Sequence, residues 1–443
     1  MKIKAKNIGI LGLGESGYWS AKLATTMDYN VFISDANTKV KTEFIDDLKI
    51  LGAGIEIGKH SNEILKSDLI IKSPGISNDI EIMQKIKASK IPVMSEIEFA
   101  GSFSNVKNIC ITGTNGKTTT VSLIAKILSK EKHVLKSGNI GIPFSKMVLE
   151  NKLYDKNDYD YCILELSSFQ LEHCSSLKKE ISVILNISVD HMDRYCSFDE
   201  YLNTKLKIFE NARHCIYNYD DKLLKEKCNN KIDLIPFSTD KEKGNYFFDK
   251  NKICSNDLSM SLKTSKISLT GIHNMSNIIA ASEIANKIGI KDDNICNVIN
   301  EFEGLEHRFE YFYSNNGIDF INDSKSTNID SAIKAIESIS KKMILILGGI
   351  AKEDDFSEIS LFKKNILKII VYGESRNKIY DSLSSEIKIE KIEQFEDAIN
   401  AALKSAVKSN VVLLSPACAS FDQFKNYEER GIKFKNMVER FYA

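Results

Sequence analysis

The segment NICITGTNGKTTTVSLIAKIL, Asn108 to Leu128, sets the order Gly113-Thr114-Asn115-Gly116-Lys117-Thr118-Thr119 between an apolar run and a helical repeat. Val121, Ile124, Ala125 and Leu128 recur at i, i+3, i+4 and i+7, so a helix is expected to begin near Thr118. A glycine loop that joins a strand to a helix N-terminus points backbone N–H groups and the positive end of the helix dipole at an anion. Lys117 adds a positive charge, and the Thr118 hydroxyl is suited to ligating Mg²⁺. A plain glycine turn accounts for Gly113 and Gly116 but not for the Gly-Lys-Thr order. The spacing G-x-x-G-K-T-T is shorter than the usual G-x-x-x-x-G-K-[ST], so a generic ATPase is the wrong template.

Three further residues stand where such a loop needs help. Glu165 ends the apolar run DYCILEL, which places a carboxylate at the carboxyl end of a neighbouring strand, either for Mg²⁺ or as a solvated strand terminus. His191 in NISVDHMDRY follows the next strand in the same way and serves equally as a ligand or as a structural histidine. In SFDEYLNTKLKIFE, Ser197 and Glu200 form an S-x-x-E capping box that starts a helix. Leu202, Lys205, Leu206 and Phe209 share its buried stripe, while Lys207 lies off it. A buried Lys205 ammonium is costly unless paired or neutralised; otherwise the stem packs and the head reaches water.

A second glycine motif, Gly12-x-Gly14-x-x-Gly17, lies near the N-terminus, with Asp35 at the end of NVFISD. This pattern is a dinucleotide fingerprint, and NAD-dependent redox chemistry is the reading it raises. The block around it is short for two mononucleotide halves, and no hydride-transfer site follows. The glycines alone also serve to pack a strand closely on a helix.

The elements that must position these groups follow from pattern. At 443 residues the chain exceeds what one core usually organises. Short apolar strands alternating with helical segments restart near Lys6, Val106 and Leu305, the signature of α/β units with parallel strands. NICIT, DYCILEL and ISVILNIS suit a sheet covered on both faces. IDFINDS, KMILILGG, LKIIVYGES and NVVLLSPACAS each end in small or polar residues, where ligands bind in open α/β sheets. Asp240 to Lys266 is polar and reads as β-rich. Lys plus Arg and Asp plus Glu both number 60, so no global field attracts nucleic acid or a membrane surface. The apolar start is short and broken by glycines, and the nine cysteines form no C-x-x-C pair, so a soluble cytoplasmic protein without a zinc site is expected.

Taken together, GTNGKTT, LELSSFQL, DHMDRY, GIHNMSN, EHRFE, NDSKSTN and LLSPACASFDQFKNYEERG resemble the Mur ligase family, in the family's order and over nearly the whole chain. The resemblance implies an α/β protein of three domains. Residues 1–98 would form an N-terminal Rossmann-like domain for the UDP end of the substrate, residues 99–304 a central P-loop ATPase domain with a mostly parallel sheet, and residues 305–443 a C-terminal Rossmann-like domain for ATP and D-glutamate. It is most similar to the D-glutamate-adding members, which implies UDP-N-acetylmuramoyl-L-alanine and D-glutamate as substrates, ATP, two Mg²⁺ sites and a monomer.

By the same resemblance, Gly113, Thr114, Asn115, Gly116, Lys117, Thr118, Thr119, Asn274, Asn277, Arg308 and Asp323 serve ATP. Thr118, Glu165, His191 and Lys205 serve the metals, Lys205 as a carbamate formed from its neutral amine and CO₂, and Lys117, His191 and Lys205 are the catalytic set. Glu15, Ser16, Asp35, Ser73, Pro74, Gly75 and Asn139 match contacts to the uridine-linked substrate; Lys325, Thr327, Lys352, Ser420, Phe421 and Tyr427 match the D-glutamate pocket. Two places depart from the family pattern. Ile350-Ala351 stands before Lys352 where relatives usually carry another glycine, and Ala36-Asn37 follows Asp35 without the usual arginine, which passes uridine diphosphate contacts to Lys39. A nucleotide-gated binding protein and a folate polyglutamate ligase are the competing readings; the polar strand ends argue against the first and the SPG loop against the second.

Overall fold

Three sheets of parallel or mostly parallel strands follow one another along the computed structural model, which describes residues 3–156, 158–192, 194–229, 233–249, 252–256, 261–263, 269, 271–352 and 354–443. The first has the order Gly54–Ile57, Asn30–Asp35, Asn7–Leu11, Leu69–Lys72, Val93–Ser95, all parallel. The chain winds one way from Asn7–Leu11 and then returns to its other side. The crevice between the carboxyl ends of Asn7–Leu11 and Leu69–Lys72 is therefore the topological switch point, the usual ligand position in such a sheet. The glycine fingerprint lies there. A Cβ on Gly17 would sit 1.9 Å from the Gly12 carbonyl oxygen, so close strand–helix packing suffices to explain that glycine.

The second sheet has the order Leu234–Phe237, Ala212–Asn218, Lys179–Ile184, Lys107–Thr112, Tyr161–Glu165, Val134–Gly138, again all parallel. Lys107–Thr112 stands centrally, with Ile109, Cys110 and Ile111 wholly buried, because helices cover both faces. The third sheet runs Glu310–Asn315, Ile318–Asn322, Val411–Leu414, Met343–Gly348, Ile366–Tyr372, Ile389–Lys391, with only the first strand antiparallel. A small antiparallel sheet, Tyr246–Asp249, Lys252–Ser255 and Ser261–Lys263, occupies the segment read as β-rich; residues 250–251, 257–260 and 264–266 of that reading lie outside the described residues. Among the described residues no helix is long and apolar enough to cross a membrane.

Two local details differ from the sequence expectation. The Ser197 hydroxyl caps its helix by accepting from Glu200 N, but the Glu200 carboxylate accepts from Cys196 N at 3.0 Å, so the reciprocal half of the capping box is displaced by one residue. A complete box forms instead at Ser167 and Gln170, directly after Glu165.

The apolar core of the first sheet continues into the second through Ile97, Phe99, Ala100 and Phe144. Glu96 is buried in this junction, where one carboxylate oxygen accepts from Ser145 N at 2.5 Å and Oε2 has no partner. Burial raises its pKa from the ordinary 4.5 to about 7, against the opposing hydrogen bonds from Ser145 and Phe144. In the folded protein Glu96 thus holds a proton that the unfolded chain releases. Stability should fall between pH 4.5 and 7 by roughly 3 kcal/mol from this group, with the full penalty above pH 7. Glu96→Gln should therefore unfold at higher urea than the parent at pH 8 and at nearly the same urea at pH 4.5; equal midpoints at pH 8 would refute the buried acid.

Candidate active site

The helix Lys117–Leu128 starts as expected from the loop after Lys107–Thr112. Gly116 adopts the left-handed φ of 83°, and a Cβ there would meet Asn277 Oδ1 at 2.3 Å, so glycine is required twice over. The loop is held from behind: Asn115 N donates to Asn186 Oδ1 at 2.8 Å and Thr114 N to Asn186 O at 3.0 Å. The Lys117 ammonium folds over its own loop, donating to the carbonyls of Gly113 and Thr114, both at 2.8 Å.

This loop forms one wall of a cleft of about 670 Å³ that is also lined by Asn139, Glu165, His191, Lys205, Asn274, Asn277, Arg308, Asp323, Lys325, Thr327 and Lys352. Thr118 donates to Glu165 Oε2 at 2.7 Å, Arg308 donates to Thr118 Oγ1 at 2.7 Å, and Asn139 donates to Glu165 Oε1 at 3.0 Å. Residues from distant parts of the chain thus meet on one carboxylate–hydroxyl pair. Among the described residues no group of three or more His, Cys, Asp or Glu gathers as a metal cage. One carboxylate and one hydroxyl still fit Mg²⁺, which takes few protein oxygens and completes its shell with phosphate and water.

His191 has a left-handed backbone, φ 58°, a costly conformation for a non-glycine residue and one common at functional sites. Its ring packs edge-on against Phe169 at 4.7 Å, with Nε2 3.5 Å from Asp190 Oδ2. Burial brings its pKa to about 4, opposed by Asp190 and reinforced by Lys352, Lys117 and Lys205, so the imidazole is neutral at pH 7 with a lone pair to offer. Asp190 is itself paired with Lys352 at 3.1 Å. Burial works to raise its pKa, but Lys352, His191 and Lys117 together leave it lowered.

Lys205 is buried on its helix, as the stripe predicts. Its Nζ donates to Gly113 O at 2.9 Å and lies 5.0 Å from the centre of the Tyr201 ring. Among the described residues no carboxylate forms an ion pair with it. Burial, joined by the Lys117 charge, pulls its pKa well below the ordinary lysine range against the weaker pull of Asp190 and Glu165. Asp323 accepts from Phe309 N at 3.0 Å and Ser415 Oγ at 2.9 Å, and burial raises its pKa to about 7. The Lys325 ammonium sits 4.1 Å over the Tyr427 ring, and burial, aided by Arg308 and Lys117, lowers its pKa to about 8.

The Mur ligase middle domain model matches residues 111–285, the Mur ligase glutamate ligase domain model residues 307–418, and the MurD N-terminal domain model residues 7–82. The chain is 39% identical over 449 residues to the UDP-N-acetylmuramoylalanine--D-glutamate ligase of Bacteroides fragilis, covering 98% of this chain and 99% of that one. It is 37% identical over 452 residues to the protein of the same name from Caldanaerobacter subterraneus, covering 99% of each. The chain belongs to the Mur ligase family. Among solved structures its fold is similar to the UDP-N-acetylmuramate-alanine ligase of Thermotoga maritima, at TM-score 0.60 and 19% identity over 99% of both chains. It is also similar to the MurF ligase of Thermotoga maritima in complex with ADP, at TM-score 0.63 and 16% identity over 93% of this chain and 94% of that one.

As a Mur ligase the protein is an ATP-dependent ligase, and the NAD reading of its glycine fingerprint falls away. Asp35, instead of facing a ribose, accepts from Leu13 N at 2.6 Å and Asn37 N at 2.8 Å. Ser73 donates to Gly12 O at 3.1 Å, so Asp35, Ser73, Pro74 and Gly75 gather at the switch point of the first sheet, while Glu15 is exposed and paired with Lys41 and Ser16 is half-buried. Of the seven residues expected to contact the uridine-linked substrate, Asn139 alone lines the cleft, and Ser420, Phe421 and Tyr427 of the expected D-glutamate set do not line it. Ser420 is buried, Phe421 is exposed, and Tyr427 stands behind the cleft, its ring under the Lys325 ammonium. Lys39 is exposed, its N–H accepted by Asn37 Oδ1 in a local turn. The Ile350-Ala351 departure does not divert Lys352: Ile350 exchanges hydrogen bonds with Ala419 and Ala351 N donates to Ser375 Oγ, a path that brings Lys352 to Asp190.

Sequence reasoning missed Asp190, Asp330 and Tyr201. Asp330 accepts from Asn115 Nδ2 at 2.5 Å, Ser188 Oγ at 2.9 Å and Lys334 at 2.6 Å, tying the glycine loop to the C-terminal segment. Asp190 stood beside His191 in DHMDRY and Asp330 two residues past NDSKSTN, but their partners are remote in sequence and no local spacing signals them.

Proposed function

We propose that this Mur ligase joins the amine of D-glutamate to the L-alanyl carboxylate of UDP-N-acetylmuramoyl-L-alanine at the expense of ATP, in peptidoglycan precursor synthesis in the cytoplasm. The observation that carries the reading is the single cleft in which Lys117, Thr118 and Glu165 stand with Arg308, Lys325, Thr327 and Lys352. In this reading residues 1–98 hold the uridine end of the substrate, 99–304 the phosphates of ATP, and 305–443 the adenine end and D-glutamate.

The chemistry follows from the residues. An L-alanyl carboxylate is a poor acyl donor, so it first attacks the γ-phosphate. Lys117 spends two of its three donors on the loop carbonyls, which leaves the third for a phosphate oxygen where negative charge accumulates. Thr118 and Glu165 would hold one Mg²⁺; neutral His191, with a carbamate on Lys205, would help hold a second. The metal charge offsets phosphate repulsion when bound. The acyl phosphate then meets the D-glutamate amine, whose carboxylates are matched by Lys325, Lys352 and Thr327. The amine adds to the acyl carbon and phosphate leaves, which forms the amide. Asp190 holds Lys352 beside the loop of His191, which would set the acceptor site next to the metal site.

The test is ADP and phosphate release from UDP-N-acetylmuramoyl-L-alanine with D-glutamate, L-glutamate, L-alanine or a diamino acid as acceptor. Turnover with D-glutamate at least about a hundredfold above the others is expected, a ratio in reach of a site built on polar contacts. Turnover with another acceptor alone would refute the assignment.

A further inference from the structure

Glu172 lies one residue beyond the short helix Ser168–Leu171, outside the set expected to touch substrates. Its carboxylate is nonetheless buried at the junction of the first and second sheets and surrounded by donors from both. Oε2 accepts from Lys72 Nζ at 3.2 Å and Asn78 Nδ2 at 3.0 Å, and Oε1 accepts from Tyr195 OH at 3.1 Å. Arg194 Nη2 stands 3.6 Å away. Both cations have a second partner in common: Lys72 donates to Ile76 O at 2.7 Å and Arg194 to the same oxygen at 2.6 Å. Ile76 directly follows Ser73-Pro74-Gly75.

The other end of the network reaches the cleft. The Arg194 guanidinium lies 4.1 Å over the Phe169 ring, and Phe169 packs on His191. Arg194 N donates to His191 O at 3.0 Å, closing the turn that holds the histidine. Two cations and one carboxylate sharing a buried site are costly to desolvate, and apolar residues would serve mere packing better. Charge-assisted bonds instead fix direction and distance, and here they fix the Ile76 carbonyl relative to the His191 loop.

We propose that Glu172, through Lys72 and Arg194, is a positioning residue that sets the register between the Ser73–Ile76 loop and the phosphoryl-transfer cleft, so that a substrate anchored at its nucleotide end presents its carboxylate at the far end to the γ-phosphate. The inference rests on the reading of Ser73, Pro74 and Gly75 as contacts to the uridine-linked substrate. Glu172→Gln keeps the shape but removes the charge: its amide oxygen can still accept from Lys72 and Asn78 and its N–H₂ can donate to the Tyr195 hydroxyl, so what is lost is the attraction that holds Lys72 and Arg194. Arg194→Lys keeps the charge but loses the planar guanidinium, whose Nη2 donates to Ile76 O with Glu172 beside it, and the stacking on Phe169.

The test is steady-state kinetics of the full-length parent and variants with ATP, UDP-N-acetylmuramoyl-L-alanine and D-glutamate varied in turn. Each single variant should raise KM for the uridine-linked substrate about tenfold and lower kcat severalfold, with KM for ATP and D-glutamate within twofold of the parent. The double variant should be no worse than the poorer single one, because both act on one carbonyl. A uniform loss of kcat with all three KM values unchanged would mark a purely structural role and overturn the proposal, as would parental kinetics in both variants. Should Glu172→Gln fail to fold, Arg194→Lys alone decides by the same KM pattern. A parent that turns over no uridine-linked substrate would overturn the functional reading itself and this proposal with it, a result distinct from an active parent with unaffected variants.

Discussion

Lys117→Ala is expected to lower ATP-dependent product formation by roughly a thousandfold, the scale on which a preorganised donor to a developing anion contributes. The side chain sits where the helix Lys117–Leu128 and the glycine loop already aim backbone N–H groups at one point, and its ammonium is anchored by the Gly113 and Thr114 carbonyls. The cleft walls withdraw water from it and lower its pKa, opposed by Glu165 and Asp190 and reinforced by Arg308 and Lys352. A partly desolvated cation gains more from an incoming phosphate than one in free solution. The fold should survive, because the lysine contributes nothing to the apolar core of the second sheet. Binding of the uridine-linked substrate should survive too, since all its expected contacts but Asn139 lie in the first domain, away from the cleft. Isothermal titration with that substrate alongside the turnover assay checks both, and a variant retaining more than about a tenth of parental turnover would contradict the role given to the loop.

Lys205→Ala is expected to cost roughly a hundredfold or more in turnover, with partial recovery in millimolar acetate, the scale seen when groups that orient metal ligands are removed. A lysine buried beside Lys117, with its nearest hydrogen-bond acceptors Gly113 O and Thr112 Oγ1, is poorly placed as an ammonium. The depressed pKa raises the fraction of neutral amine, which is the form that adds to CO₂; the amine loses a proton and the new C–N bond leaves a carbamate anion. That anion would pair with Lys117 and reverse the local charge clash. Alanine leaves a space lined by Tyr201 and the glycine loop that a small carboxylate can enter. Mass spectrometry of the intact protein near neutral pH should find the extra carboxyl group, and rescue should follow carboxylate size, formate and acetate above butyrate. An uncarboxylated Lys205 in the magnesium–ATP complex, together with no rescue, would remove it from the metal site.

What the sequence disclosed and what it hid divide along physical lines. The glycine loop was legible because its geometry is local: one strand, two glycines at positive φ and one amphipathic helix lie within Lys107–Leu128. Burial of Lys205 was legible for the same reason, being a matter of helical phase. The short strands Gly54–Ile57 and Val93–Ser95 were not read because each is half-buried at a sheet edge and lacks a run of apolar residues. Glu310–Asn315 hid in the same way, its residues alternating between exposed and half-buried on an antiparallel edge. The partners of the site were hidden most deeply. Asp190 and Lys352 are 162 positions apart, and only tertiary folding brings the carboxylate to the ammonium.

The central claim, that the L-alanyl carboxylate is activated by the γ-phosphate in this cleft before the amine attacks, is tested most directly by isotope transfer. UDP-N-acetylmuramoyl-L-alanine labelled with ¹⁸O in both carboxylate oxygens would be turned over with ATP and D-glutamate, and the released phosphate weighed by mass spectrometry. The account predicts that each phosphate carries one ¹⁸O, the amide keeps the other, and ADP is the nucleotide product. Unlabelled phosphate with labelled AMP, or amide formation with no label in either, would contradict it.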